Sequence, residues 1–400
     1  MRMRSSHKGR QSDHQIKLPE LGNFVAELNS NALIKNYYAL RELVPGQGIL
    51  PMVKANAYGH GSVWVSRQLL ELPALYAFGV ATLEEGIFLR RELGPRGRRA
   101  KIIVFSGATP WSEEKGQLCE RYHLTPVIAS DEDWVSFAKD QWFERISYEL
   151  KFNTGMNRLG MSLSQARGVA RALRTRPSIA HPSGIFSHFA MAETPTCRLS
   201  QFQVERFIAL KRELGSVFPS AHFHMANSAA IWNQKHFGLQ DLTDVVRPGI
   251  SLYGVTPWAG APVRGITPVL RLKARVIAIR TLKEGESVGY GARYRVSSGK
   301  GFSSVRLAVL GAGYADGVHR LLSGEGVHGG WAWIGGHVSK ILGTISMDLS
   351  TVQCPQSTRV GDWAVLFGPE IDAWEQAGIA GTIPYELLTS VSTRVQRVYV

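Results

Sequence analysis

Cysteine is scarce in this chain. The three present, Cys119, Cys197 and Cys354, lie far apart and form no CxxC pair. Such spacing builds neither a structural zinc site nor a disulfide framework, and no metal is expected. Long apolar runs are missing as well. None reaches the ~18 residues of a membrane-spanning helix, so no membrane partner is expected. The basic N-terminus lacks the apolar stretch that follows in a secretory signal, and the expectation is a cytoplasmic protein. Acids are in short supply: Asp+Glu 32 against Lys+Arg 46 leaves a formal net charge of +14. That surplus suits an anionic small molecule, a membrane surface or a nucleic acid. No zinc-finger spacing and no RNP-like aromatic motif accompanies it, so nucleic acid is not expected. Part of the surplus is local. Arg2, Arg4, Lys8, Arg10 and Lys17 face one acid, Asp13, and Arg90, Arg91, Arg96, Arg98, Arg99 and Lys101 cluster in LRRELGPRGRRAK. These read as a disordered basic tail, residues 1–20, and a solvated helix end with its loop.

Apolar residues make up 44% of the chain and glycines number 41, enough to bury a core joined by many short loops and unlike a coiled coil. FVAELN (24–29) reads as a strand, and SNALIKNYYALREL (30–43) as a helix with Ser30 as its N-cap. A rhythm of short apolar runs follows, at 49–54, 77–82, 102–106, 124–128, 146–152, 184–189, 222–227 and 244–249. Helical patterns such as 63–72, 83–93 and 199–214 lie between most of them. Eight strands alternating with helices over ~250 residues predict a (β/α)8 TIM-type barrel across 21–267, ahead of a doubly wound sheet. From 268 to 400 the pattern changes to strands separated by glycine-rich turns, which predicts a mainly β C-terminal domain.

Barrel enzymes carry their chemistry at the C-terminal ends of the strands. The first barrel strand ends in PMVKANAYGHG, where Lys54 meets a glycine-rich loop. A lysine there is either a snorkelling surface residue or, partly desolvated, an amine fit to form a Schiff base. The other strand ends favour the second reading. The fifth offers Lys151 and Arg158, the sixth His188, the seventh Asn227 and Ser228, and the eighth Arg247, Gly249 and Ile250. Segments after the seventh and eighth strands are where barrels bind phosphate through backbone N–H groups. A lysine amine and a phosphate cradle on one rim suggest pyridoxal 5'-phosphate, with Arg247 a candidate partner for its pyridine nitrogen.

These residues carry a resemblance. VKANAYGHG, KFNTGMNRLG, SHFA, ANSAA, VRPGISLYG, SVGYGARYR, GAGYADG and ISMDL stand in the order found in the alanine racemases, from about residue 23 to the C-terminus. The resemblance implies a pyridoxal-phosphate-dependent racemase that interconverts L- and D-alanine and supplies D-alanine for peptidoglycan. It implies Lys54 as the cofactor's covalent anchor and one base, and Tyr290 as the second base on the opposite face. Tyr58, Ser228, Gly249, Ile250 and Tyr385 match phosphate-binding positions, Arg247 matches the arginine facing the pyridine nitrogen, and His188 matches its hydrogen-bonding neighbour towards the catalytic tyrosine. Arg158, Met347 and Asp348 match substrate-side positions, Tyr314 an entrance position, and Lys151 a lysine carbamylated in many members. A head-to-tail homodimer with shared sites is implied too. The sequence departs from the pattern at Asn153, where Asp is common, at Ser346, where Cys is common, and in a longer VSSGKGFSSV stretch. Broad-specificity amino-acid racemases share the fold and most of these motifs. A decarboxylase of this fold is disfavoured by Arg247, and a non-catalytic cofactor carrier by the second domain and Tyr290.

Overall fold

A computed structural model describes residues 22–174, 181–262, 264–297, 304–325 and 328–400. The tail expected at 1–20 and most of the VSSGKGFSSV stretch lie outside the described residues. After a first strand, β1 (Phe24–Leu28), the chain lays down β2 (Gly48–Ile49), β3 (Phe78–Val80), β4 (Ile102–Val104), β5 (Thr125–Ile128), β6 (Glu149–Lys151), β7 (Gly184–Phe186), β8 (His222–Asn227) and β9 (Val245–Arg247). Strands β2 to β9 form one parallel sheet in the order β2-β9-β8-β7-β6-β5-β4-β3. Parallel bridges Ile49↔Leu75 and Met52↔Gly79 join its two ends, so the sheet closes on itself as expected.

Local chemistry explains the alternation. Strands such as β3, β4 and β5 are buried throughout, as strands covered on both faces must be. Several then run into a serine or threonine that stops the strand and starts a helix. Thr82, Ser112 and Ser130 accept the backbone N–H groups of Glu85, Lys115 and Asp133, and acids fill each first turn. A cap of this kind contributes about 1 kcal/mol, and the acids complement the helix dipole. The helix Ser30–Leu43 is where expected, but its cap is Asn29, whose side chain accepts from Ala32 N at 2.9 Å. Ser30 is the first helical residue, and its hydroxyl donates to Val400 O instead. The basic cluster also needs correction at Arg90. Its guanidinium is buried and donates to the carbonyls of Gly97, Ala100, Tyr122 and His123. It ties a helix end to two loops and is not a solvated charge.

The second domain adds β10 (Leu270–Lys283), β11 (Ser287–Val288), β12 (Tyr294–Arg295), β13 (Ser304–Leu310), β14 (Trp331–Ile334), β15 (His337–Lys340), β16 (Ser350–Gln353), β17 (Trp363–Phe367) and β18 (Gln396–Tyr399). The fourteen-residue β10 is its spine. One half pairs β1 and β17, the other half pairs β13, and a register shift interrupts each of the β17 and β13 ladders. Strand β1, grouped with the barrel by sequence order, is hydrogen-bonded to β10 and β18 and belongs to this sheet. Among the described residues, no helix is long and apolar enough to cross a membrane.

Candidate active site

Among the described residues, the loop after β2 holds the longest run of non-glycine residues with positive φ. Past Lys54, residues Ala55, Asn56, Ala57 and Tyr58 have φ of 50°, 52°, 55° and 53°, a left-handed turn made without glycine. Such a conformation costs an L-residue roughly 1–2 kcal/mol, so its surroundings must hold it. Glu85 Oε1 accepts from Ala55 N at 2.7 Å, while Glu85 Oε2 accepts from Ala81 N at 2.7 Å. Asn56 Oδ1 accepts from Ser62 N, and the Arg397 guanidinium reaches across from β18 to Gly59 O. At Gly59 itself (φ +83°), a Cβ would lie 2.2 Å from Leu388 O, so this turn end admits only glycine. The result aims Lys54 at the barrel's C-terminal mouth and packs the Tyr58 ring against Tyr253 and Tyr385.

There a cavity of about 950 Å3 opens, lined by Lys54, Tyr58, Lys151, Arg158, His188, Asn227, Ser228, Arg247, Gly249, Ile250 and Tyr385. Eleven of the residues singled out in the sequence therefore meet in one place. Burial lowers the Lys54 amine, and the Arg158 charge lowers it further. Burial followed by Arg158, Arg247 and Lys54 brings Lys151 down to about 8. His188 is driven well below its usual value by burial and by Arg247, and stays neutral. Arg247, 3% exposed, donates to His188 Nδ1 at 3.0 Å, to Ser187 O at 2.8 Å and to His224 Nδ1 at 2.5 Å. Desolvation lowers it to about 9, which leaves it cationic at neutral pH.

The cavity therefore concentrates positive charge, and its polar backbone fits an anionic aromatic cofactor. Ser228 Oγ accepts from Gly249 N at 2.9 Å, gathering N–H donors between two strand ends. A Cβ on Gly249 would sit 2.5 Å from Tyr58 Oη, so that hydroxyl crowds the same cradle. Backbone donors, a tyrosine hydroxyl, a desolvated lysine and an arginine in one cavity match the phosphate, aldehyde and ring nitrogen of pyridoxal phosphate.

Four predicted residues lie elsewhere. Tyr290 is 75% exposed, on a short turn beside a separate cavity of about 460 Å3 with Thr344, Ser346 and Leu349. Tyr314, Met347 and Asp348 are exposed in the second domain. Two backbone bonds, Tyr314 N to Ser346 O and Ala315 N to Met347 O, hold their loops together, and Arg394 pairs with both Asp316 and Asp348. The two departures from the family pattern keep their local structure. Asn153 Oδ1 accepts from Gly155 N and Asn157 N, ordering the turn that carries Arg158. Ser346 Oγ closes the turn around Met347 by accepting from Leu349 N.

Sequence reasoning missed three residues. Glu85 was readable as the fourth member of a T-x-x-E capping pattern, but its hold on Ala55 was not. Glu149 and His224 are fully buried inside the barrel, joined by a 3.0 Å contact, and His224 meets Arg247. A charged residue two positions before Lys151 in a buried strand was their only signal.

Comparison with known proteins agrees with this geometry. The profile of the alanine racemase N-terminal domain matches residues 28–257, and that of the alanine racemase C-terminal domain matches 269–399. An alanine racemase of Carboxydothermus hydrogenoformans is 36% identical over 390 residues, covering 94% of this chain and 99% of its own. One from Shewanella amazonensis is 32% identical, covering 92% and 97%. Among solved structures, alanine racemase from Streptomyces coelicolor A3(2) superposes with a TM-score of 0.84 at 29% identity, covering 94% of this chain and 98% of that one. Alanine racemase from Bartonella henselae, with covalently bound pyridoxal phosphate, gives 0.79 at 27%, covering 95% and 100%.

Proposed function

The chain belongs to the alanine racemase family, pyridoxal-phosphate-dependent isomerases, and from this we propose that Lys54 and Tyr290 serve alanine as bases on opposite faces of its α-carbon. Lys54 carries the reading: a half-buried amine, held below its usual value, on a barrel rim inside a cationic cavity that also offers a backbone cradle. Bound pyridoxal phosphate supplies the electron sink that lets the α-proton leave.

The chain's own residues do the rest. Tyr58, Ser228, Gly249, Ile250 and Tyr385 would hold the phosphate, with Asn227 fixing the helix turn that presents Ser228. Arg247 would donate a hydrogen bond to the ring nitrogen and keep its own proton, since even at about 9 it is charged at neutral pH. Lys54 Nζ holds the proton on the D-substrate face and Tyr290 Oη on the L-substrate face. To take a proton on the L-substrate face Tyr290 needs the positive field of the partner site, which favours the phenolate. Arg158 orients the substrate carboxylate, helped by the Met347 N–H. Asp348 holds that loop through Arg394, and Tyr314 flanks the entrance. Lys151, down at about 8, keeps the neutral amine fraction that carbamylation by carbon dioxide needs, and the carbamate would brace Arg158.

Within one chain Tyr290 and Lys54 line separate cavities. A head-to-tail homodimer would bring the exposed Tyr290, Tyr314 and Met347 of one copy over the Lys54 cavity of the other, making two shared sites. We place the activity in the cytoplasm, with D-alanine for peptidoglycan as its product.

The test is incubation of the protein and pyridoxal phosphate with L-alanine, L-serine, L-lysine or L-arginine in deuterated water. Fast racemisation mainly of alanine, abolished in Lys54→Ala, is expected. Comparable rates on lysine or arginine would move the assignment to a broad-specificity racemase. Deuterium exchange without racemisation would overturn the pairing of Lys54 with Tyr290.

A further inference from the structure

Arg247 has no carboxylate of its own among the described residues. Its guanidinium donates to two imidazole nitrogens and to the carbonyls of Ser187 and Met225. The compensating charge stands one residue further in. Glu149 Oε2 meets His224 Nε2 at 3.0 Å, and His224 Nδ1 meets Arg247 at 2.5 Å. Both Glu149 and His224 are fully buried.

One protonation pattern satisfies this chain of contacts. A guanidinium only donates, so His224 Nδ1 must accept; a carboxylate only accepts, so Nε2 must carry the proton. An imidazolium, with both nitrogens protonated, would turn an N–H against Arg247. The surroundings agree with a neutral ring. Burial, then Glu149, Arg247 and Lys101, set the balance on His224, and the outcome is a fall to about 4. Burial pushes the Glu149 carboxyl up, but contacts with His224 and Lys101 outweigh it and keep the group ionised.

The rest of the barrel is shaped around this link. Phe186 stacks on the His224 ring at 4.6 Å and 8°, fixing its plane. The other Glu149 oxygen takes Lys101 Nζ at 3.1 Å and Tyr76 Oη at 3.4 Å. Gly184 leaves the space that the carboxylate fills, since a Cβ there would lie 2.7 Å from Glu149 Cδ. A barrel interior normally holds layers of branched apolar side chains, and none of these groups is needed merely to fill it.

We propose that Glu149 is a positioning residue for the reaction: through the neutral imidazole of His224 it orients and counterbalances the guanidinium of Arg247. The proposal rests on the reading of Arg247 as the partner of the cofactor's ring nitrogen. It makes His224 a rigid spacer between a fixed anion and a fixed cation. Arg247 thereby keeps both its direction and its charge, although no acid touches it.

The test begins with the apoprotein labelled with 15N-histidine, the His224 signals being assigned with a His224→Gln variant. The expected result is an Nε2-protonated, Nδ1-bare ring that does not titrate from about pH 5 to about pH 8, unlike a free histidine. An Nδ1-protonated ring, or an imidazolium in that range, overturns the proposal. The second arm is Glu149→Gln in the holoenzyme. Glutamine keeps the volume and an acceptor oxygen but removes the charge, so a merely space-filling role predicts little change. The expected outcome is a kcat lower by about tenfold or more, with KM for alanine within about twofold and a changed absorption spectrum of the bound cofactor. Wild-type kcat with an unchanged spectrum overturns the proposal. If Glu149→Gln does not fold, the imidazole signals of the unsubstituted protein decide. A wild-type protein that does not racemise alanine would instead refute the proposed function, and the apoprotein spectrum would still report on His224.

Discussion

Replacing Glu85 by glutamine should damage the protein at least as much as replacing it by alanine. The two carboxylate oxygens accept from two different backbone N–H groups, Ala55 and Ala81, each at 2.7 Å. A hydrogen bond to a charged acceptor contributes ~1.5–3 kcal/mol, and partial exposure of this pair argues for the lower half of that range. Two such bonds make Glu85→Ala cost about 3–4.5 kcal/mol, both N–H groups being left to water. In Glu85→Gln one oxygen remains, uncharged, while the amide nitrogen turns its hydrogens on the other backbone N–H. The anchored segment is also the left-handed turn, where each L-residue stores roughly 1–2 kcal/mol. Loosened, it can relax away from that conformation and take Lys54 with it. Misplacement of a reacting group by about 1 Å costs ~100-fold in rate, so kcat should fall between about tenfold and about a hundredfold in both variants. Urea unfolding gives the stability and racemisation of alanine the rate. A Glu85→Gln protein with a wild-type midpoint and wild-type kcat would refute the reasoning.

Gly249→Ala places a methyl 2.5 Å from a buried tyrosine hydroxyl, and apoprotein titrations should show at least ~10-fold weaker binding of pyridoxal phosphate; unchanged affinity would remove Gly249 from the cradle. Subunits carrying Lys54→Ala and Tyr290→Phe, inactive alone, should recover about a quarter of wild-type activity when coexpressed, because half the dimers are mixed and each keeps one intact site. No recovery would end the shared-site reading. Burial holds the His60 ring down at about 4, its Nδ1 donating to Ala57 O and Tyr58 O. An unfolded histidine binds its proton near 6.5, so this contribution is complete above that pH and shrinks on acidification towards 4. Urea midpoints should show His60 accounting for about 2 kcal/mol of the loss between about pH 7 and about pH 5. The idea is wrong if His60→Asn shows the same loss.

The parts of the fold legible in the sequence were those with local causes. Buried strands read as apolar runs, and the helical patterns at 63–72, 83–93 and 199–214 fall on the helices Ser62–Leu69, Leu83–Leu93 and Arg198–Gly215. Strand ends then nominated Lys54, Lys151, Asn227 and Arg247, because closing the barrel brings every C-terminal strand end to one rim. What escaped depended on contacts far along the chain. KANAY contains no glycine, and nothing in it announces a left-handed turn that Glu85 and Arg397 hold from outside. Glu149 and His224 are 75 residues apart, and neither has meaning without the other. Asn29 displaced Ser30 as the cap because both residue types suit the position, and Val400 takes the Ser30 hydroxyl.

Strand β1 has a consequence for how the molecule is assembled during synthesis. It emerges from the ribosome before any of the barrel, yet its two neighbours are β10, reached across a separation of 246 residues at the Lys273–Glu27 pair, and β18, later still. The whole barrel is thus a detour between two strands that must find each other afterwards. Bringing distant segments together is slow, because loop-closure entropy is spent before any pairing is gained. Until then the FVAEL segment waits with both edges open, a vulnerable state for a strand of that composition. The sheet is sealed only when Gln396–Tyr399 arrives beside Val25–Leu28, and the Arg397 that comes with it grips the Lys54 loop. One late event thus completes the second domain's sheet and fastens the lysine turn, so a nascent chain lacking that strand would have a barrel whose Lys54 turn is not held from β18.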